Sequence, residues 1–222
     1  MLLNQIKKLW QKLISKFILL KAIVTPIDKT KRDKQVNVLA SEINELEKHI
    51  SAIQELINQS NSNFEVYKNY YNFFYDIYNS YHNEIIYGIG RLIDQSNDSL
   101  SITNLLKEGI EKKDSLADDE AKIHTVIKEH PMHKKIKQNR NKLGKAHLDK
   151  AIATNPQKQM KIYDQYKYEL KETIEYVELL KESVEIISWR SSNPICCLLT
   201  YNGPIKKEIR NIFEKLAKQS SI

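Results

Sequence analysis

Apolar positions recur at intervals of three and four along most of the chain, the spacing of one helix face. The first seam is Leu3, Ile6, Trp10, Leu13, Phe17, Leu20 and Val24, with Lys7, Lys8, Lys12 and Lys16 off it. It predicts an amphipathic helix of about 22 residues, stopped by Thr25-Pro26. Val36, Leu39, Ile43, Leu46, Ile50, Ile53 and Ile57 alternate by three and four over three heptads, as in a helix–helix seam. Turn formers at 59–63 break that pattern. Residues 64–93 read as one long aromatic-rich helix, ended by Asp94-Gln-Ser-Asn-Asp-Ser99.

Ser101 is placed to N-cap a short helix through Leu105 and Leu106. A further helix runs from about Leu116 to His130; Pro131 restarts it, and the second part reaches about Asp149. Thr154-Asn155-Pro156 reads as a loop. The seam Tyr163, Tyr166, Leu170, Ile174, Val177, Leu180, Val184, Ile187 follows, closed by Arg190-Ser-Ser-Asn-Pro194. A last helix spans Pro204 to about Lys218. No useful stretch alternates with period two, so the expected fold is all-α: a bundle of long antiparallel helices.

Composition narrows the picture. Five Gly and five Pro among 222 residues argue against sandwiches, barrels and Gly-rich phosphate loops. The cysteines, adjacent as Cys196-Cys197, form neither a disulfide framework nor a four-ligand zinc site and are expected to be buried and inert. The longest charge-free stretch, Ser191–Ile205, contains Pro194, Gly203 and Pro204, so no transmembrane helix is expected. With no small-residue cleavage site near the start, a cytoplasmic protein is expected. The net charge is +7. Much of it is concentrated at 134–150, where Lys134, Lys135, Lys137, Arg140, Lys142, Lys145 and Lys150 are opposed only by Asp149. So one-sided a run suits a polyanion such as RNA, with Lys137, Lys142 and Lys145 as the expected contacts; a solvated helix face is the alternative.

Within that run Arg140 and His147 are seven residues apart. On a helix this is about 700°, close to two full turns, so both lie on one face. Arg140 offers a planar fork of donors for phosphate oxygens. His147 titrates near neutrality and can move a proton to or from a ribose hydroxyl. Spacing alone favours a solvated helix face rich in Lys, Arg and Asn.

Arg140, Asn141, a short spacer and Ala146-His147-Leu148-Asp149 resemble the Arg-x(4–6)-His signature of the HEPN superfamily, most closely its AbiU-type branch, named for phage abortive infection. Gly90-Arg91-Leu92-Ile93-Asp94, followed by Ser99-Leu100-Ser101-Ile102-Thr103-Asn104-Leu105-Leu106, is similar to that branch's upstream block. The resemblance covers roughly residues 64–187. It implies a HEPN-like helical domain at 61–222, with residues 1–60 as N-terminal amphipathic and heptad helices packing on it. It further implies a homodimer with a metal-independent endoribonuclease site in the dimer cleft, serving as a toxin or phage-defence effector. Arg140 and His147 would be the catalytic pair, Asn141 an accessory polar residue, and no cofactor is implied. The expected partners are RNA, a second copy and an antitoxin or other defence-system protein. The position two after His147 is Asp149 where some HEPN toxins carry a modified Tyr, which argues against a nucleotidyltransferase antitoxin. The alternatives are a catalytically silent HEPN bundle that binds RNA or protein, or a structural helical adaptor.

The remaining features have plainer readings. Arg91 and Asp94 are spaced for an intrahelical ion pair. His124, His130 and His133 are interrupted by Pro131 and lack a nearby Cys, so no metal site is expected. Tyr67, Tyr70, Tyr71, Tyr75, Tyr78, Tyr81 and Tyr87 occupy more than one helix face and suit packing better than base stacking. Gly88 and Gly90 suit close helix–helix approach. The N-terminal helix is expected to pack on the bundle, with an anionic membrane surface as the alternative.

Overall fold

The structure is a computed structural model that describes residues 27–142, 169–195, 198 and 202–220, with backbone alone for 139–142 and 220. The expected N-terminal helix, the loop at Thr154-Asn155-Pro156, Tyr163, Tyr166 and the Cys196-Cys197 pair lie outside the described residues. Eight helices are seen among the described residues, and no strand. In chain order they are α1 (Lys29–Ser62), α2 (Phe64–Asn69), α3 (Tyr71–Leu92), α4 (Ile102–Ile110), α5 (Ala117–Glu129), α6 (Pro131–Lys142), α7 (Leu170–Ser188) and α8 (Gly203–Ser220). This is the all-α bundle that the periodicity predicts.

Asp28 starts α1, its carboxylate accepting from the backbone N–H groups of Thr30 and Lys31 at 3.0 and 3.1 Å. The heptad seam of α1 is buried from Val36 to Ile53, but Ile57 is 40% exposed and Leu56 takes the inward position. A straight helix drifts about 20° per heptad against a 3.5-residue repeat, enough over three heptads to pass the seam to its neighbour. The turn formers at 59–63 do not stop α1, which continues to Ser62. Ser60 bonds back to the Ile57 carbonyl, and Glu55, Gln59 and Asn63 bond one another in steps of four. Those side chains thus serve the helix rather than compete with it.

The aromatic segment is not one helix. It departs from helical geometry at Asn63 (φ −127°, ψ 52°) and again at Tyr70 (φ −117°, ψ 30°), while the i→i−4 bonds of Tyr67, Tyr70 and Phe74 continue across both points. The changes of direction let aromatics from different faces of the segment turn inward. Tyr67 stacks on Phe74, and Phe74 stacks on Phe213 of α8 at 4.2 Å. This second core, with Ala52, Leu56, Val66 and Ile209, sits beside the main one. The main core joins α1 to α3, α4, α5, α6 and α7 through Leu39, Ile43, Ile89, Leu106, Ile127, Ile136, Leu180 and Val184. At Gly88 a Cβ would lie 2.6 Å from Leu46 Cδ2, so this glycine does permit close approach of α3 to α1.

The intrahelical Arg91–Asp94 pair gives way to an interhelical one. Arg91 donates through Nε and Nη2 to Glu42 Oε2 of α1, at 3.0 and 2.8 Å. The α3 helix ends before Asp94, so the spacing that would align the two carboxylate and guanidinium groups is lost.

Candidate functional site

His130 sits in extended geometry (φ −60°, ψ 132°) before Pro131, which opens α6 with its ring in the first turn. Met132 and Ile136, four apart, are fully buried and fasten α6 to the core. Lys134 and Lys137 are exposed. Lys135 is engaged by Glu172 of α7 at 2.6 and 2.9 Å, and so contributes less to an open basic surface than the sequence run suggests. That contact, followed by burial acting the other way, leaves the Glu172 carboxyl below its ordinary range.

A cavity of about 120 Å³ lies between the end of α3 and α6, lined by Gly90, Ile93, Asp94, Gln95, His133, Ile136 and Lys137. The loop on its far side is held by its own side chains. The Asp94 carbonyl accepts from Ser101 Oγ at 2.5 Å and Thr103 Oγ1 at 2.9 Å, and Asp94 Oδ1 accepts from Ser96 N at 3.1 Å. Asn104 Nδ2 donates to the Ser96 and Ser99 carbonyls at 2.7 and 3.0 Å. Ser101, which also caps α4, Thr103 and Asn104 therefore fix where Asp94 and Gln95 stand.

His133 is buried, and its Nδ1 lies 3.0 Å from the hydroxyl of Tyr176, a fully buried residue of α7. Burial, with Lys137 and Lys128 adding to it, lowers the His133 pKa, and burial raises that of Tyr176, so both are neutral at pH 7. His130 stacks on the same tyrosine at 4.8 Å, and its Nδ1 accepts from the Met132 N–H. His124 Nε2 is buried without a hydrogen-bond partner, and burial first, then nearby cations, takes its pKa down to about 4. Among the described residues no group of three or more His, Cys, Asp or Glu side chains could hold a metal ion.

Of the residues singled out in the sequence, Lys137 lines the cavity. Arg140, Asn141 and Lys142 lie on the last turn of α6, described there by backbone alone, and Lys145 and His147 fall outside the described residues. Arg140 is four residues beyond Ile136 and seven beyond His133, which puts its backbone position in register with the cavity-lining face of α6. The upstream Arg-Leu-x-Asp block thus borders a cavity whose other wall is α6, the helix on which the backbone of Arg140 lies. Sequence reasoning missed the His133–Tyr176 pair, because 43 residues separate them and neither periodicity nor motif links them.

The sequence model of the HEPN family described as AbiU2 matches residues 33–189, more than half of the chain. The chain belongs to this AbiU2 HEPN family. The match runs from the second turn of α1 to just past the end of α7, takes in both motif blocks and every residue lining the cavity, and leaves α8 outside. No curated protein and no solved structure matches the chain. Among the described residues no helix is long and apolar enough to cross a membrane.

Proposed function

We propose that this HEPN chain is a metal-independent endoribonuclease, a toxin or phage-defence effector that works in the cytoplasm as a homodimer. The observation that supports the reading best is the cavity between the upstream motif block and α6, the helix that carries the backbone of Arg140 and the exposed Lys134 and Lys137. In the proposed reaction the ribose 2′-oxygen attacks its own phosphate, so a P–O2′ bond forms and the P–O5′ bond breaks. The 2′-hydroxyl proton leaves to a base and the departing 5′-oxygen takes up a proton, His147 serving as one of these two partners. Arg140 holds the non-bridging oxygens as their charge grows, with Asn141 beside it and Lys137, Lys142 and Lys145 along the strand. The products are a 2′,3′-cyclic phosphate and a 5′-hydroxyl. Two copies would place two such pairs across a two-fold axis.

A gel assay on single-stranded RNA tests the reading. His147→Ala abolishes cutting but leaves affinity nearly intact, because a neutral imidazole adds little to phosphate attraction. Arg140→Ala abolishes cutting and also makes binding less salt-dependent, by about one phosphate contact. Arg140→Lys restores charge without the fork and recovers little activity. EDTA has no effect, and a 2′-deoxy substitution at the cut site protects the strand. Cleavage that survives in His147→Ala, or that EDTA removes, would falsify the mechanism.

The second reading is a catalytically silent bundle that binds RNA or a protein partner. It is favoured by a group of exposed aromatics on α2 and α3, with Phe64 59%, Tyr71 48%, Phe73 48% and Tyr75 49% exposed. RNA binding without cleavage by the wild-type chain supports it.

A further inference from the structure

The cavity beside α6 is built from two kinds of surface. Ile93 and Ile136 give it apolar walls; His133, Asp94 and Gln95 give it polar groups; Lys137 stands on the α6 side. At about 120 Å³ it is far larger than the roughly 10–15 Å³ that one water requires. Asp94 and Lys137 bring one charge of each sign to the lining, so it favours neither an anion nor a cation overall. A neutral group with both donors and acceptors on its edge fits this lining better than a phosphate does.

The His133–Tyr176 contact decides which hydrogen bond the imidazole offers. Tyr176 is fully buried and its phenol proton needs an acceptor, and His133 Nδ1 stands 3.0 Å away. With the phenol donating to Nδ1, the ring proton of the neutral imidazole sits on Nε2. His133 is then a fixed, uncharged N–H donor among the lining groups. Gln95 supplies one further donor and acceptor, and Asp94 an acceptor.

We infer that this cavity is a subsite for one unstacked nucleobase of the RNA, next to the phosphate that Arg140 holds, with His133 as a base-contacting donor and Tyr176 as its positioning residue. The inference rests on the ribonuclease reading and adds to it a place where sequence is read. Single-stranded RNA is recognised through bases splayed out of the stack and bonded at their edges. Arg140 is one helical turn beyond Lys137 and Ile136, so backbone phosphates tracked along α6 would bring the adjoining base to the cavity.

The test uses the full chain and a short RNA whose cut site has been mapped, with a single abasic ribose moved through each position. Loss of the base at one position flanking the cut raises KM by about tenfold or more, with kcat changed less. His133→Ala and, separately, Gln95→Ala remove most of that penalty, because the base no longer meets its partner. Tyr176→Phe keeps the ring packing, frees the imidazole tautomer and weakens the same base preference. His133 is buried, so circular dichroism accompanies each variant; Gln95, only half-buried, keeps the test informative should His133→Ala fail to fold. Equal tolerance of an abasic site at every position, or a penalty that persists undiminished in Gln95→Ala, overturns the subsite. If the wild type cuts no RNA, fluorescence anisotropy with a 2′-O-methyl version of the abasic series separates the two proposals. One base-dependent position there keeps the subsite while the nuclease fails, and its absence overturns the subsite as well.

Discussion

Arg190 shows how much one side chain can connect. From just beyond α7 it donates Nε and Nη2 to the Glu120 carboxylate at 2.6 Å each, Nη1 and Nη2 to Asp114 at 2.6 and 2.8 Å, and Nη2 to the Gly109 carbonyl at 3.1 Å. Burial alone would lower its pKa, but the two carboxylates outweigh that and raise it. Glu120 is 1% exposed, so its charge is tolerable only while this partner is present. Gly109 completes the arrangement, because a Cβ there would fall on the Glu120 carboxylate. Gly109→Ala is therefore expected to lower stability by about 1–3 kcal/mol, as overpacking does, although alanine ordinarily favours a helix. Urea denaturation measures it; an unchanged or raised midpoint would show that Glu120 can move aside.

At the scale of elements, α8 is the helix that the family match leaves out, and its attachment is local. It is fixed to α3 by the Phe74–Phe213 stack and to α1 by Arg210, which donates Nε to Glu55 at 2.7 Å. Glu55 is nearly buried, and the Arg210 contact leaves its carboxyl below the ordinary range despite the opposing effect of burial. Phe213→Ala empties a well-packed site and is expected to cost about 3–5 kcal/mol. A denaturation midpoint close to wild type would mean that α8 contributes little to holding the bundle together. The α4 helix depends on a different device: Ser101 caps it while binding the Asp94 carbonyl, so the same hydroxyl starts a helix and shapes the cavity wall.

For the molecule as a whole, four buried or half-buried histidines make stability depend on pH. His49, His124, His130 and His133 all have pKa values lowered from 6.5, chiefly because burial disfavours the charged ring, His124 to about 4. Between those values the unfolded chain binds more protons than the folded one, so stability falls as pH drops. The melting temperature should hold near pH 7–8, decline from about pH 6.5 downward, and fall further below about pH 4.5 as Asp114, Glu55 and Glu172 lose their cationic partners' benefit. His124→Gln should flatten the first part of the decline. Thermal melts followed by circular dichroism from pH 8 to pH 4 check this, and a level curve down to pH 5 would contradict the burial argument.

The helical period, the seam of α1, the Ser101 cap, the Pro131 restart and the two motif blocks could all be read from neighbouring residues, because each depends on contacts within a few turns of one chain segment. Helix direction changes at Asn63 and Tyr70, the passing of the seam from Ile57 to Leu56, and the partner of Arg91 depended on what lay opposite. Arg190 with Glu120 and Asp114, and His133 with Tyr176, join residues 43 to 76 positions apart. Nothing in local spacing encodes such pairs; they form because packing of apolar faces brings distant polar groups into a low-dielectric interior, where each must find a partner. The motif blocks are local in the sequence, but the cavity that the upstream block borders exists only where α3 and α6 come together.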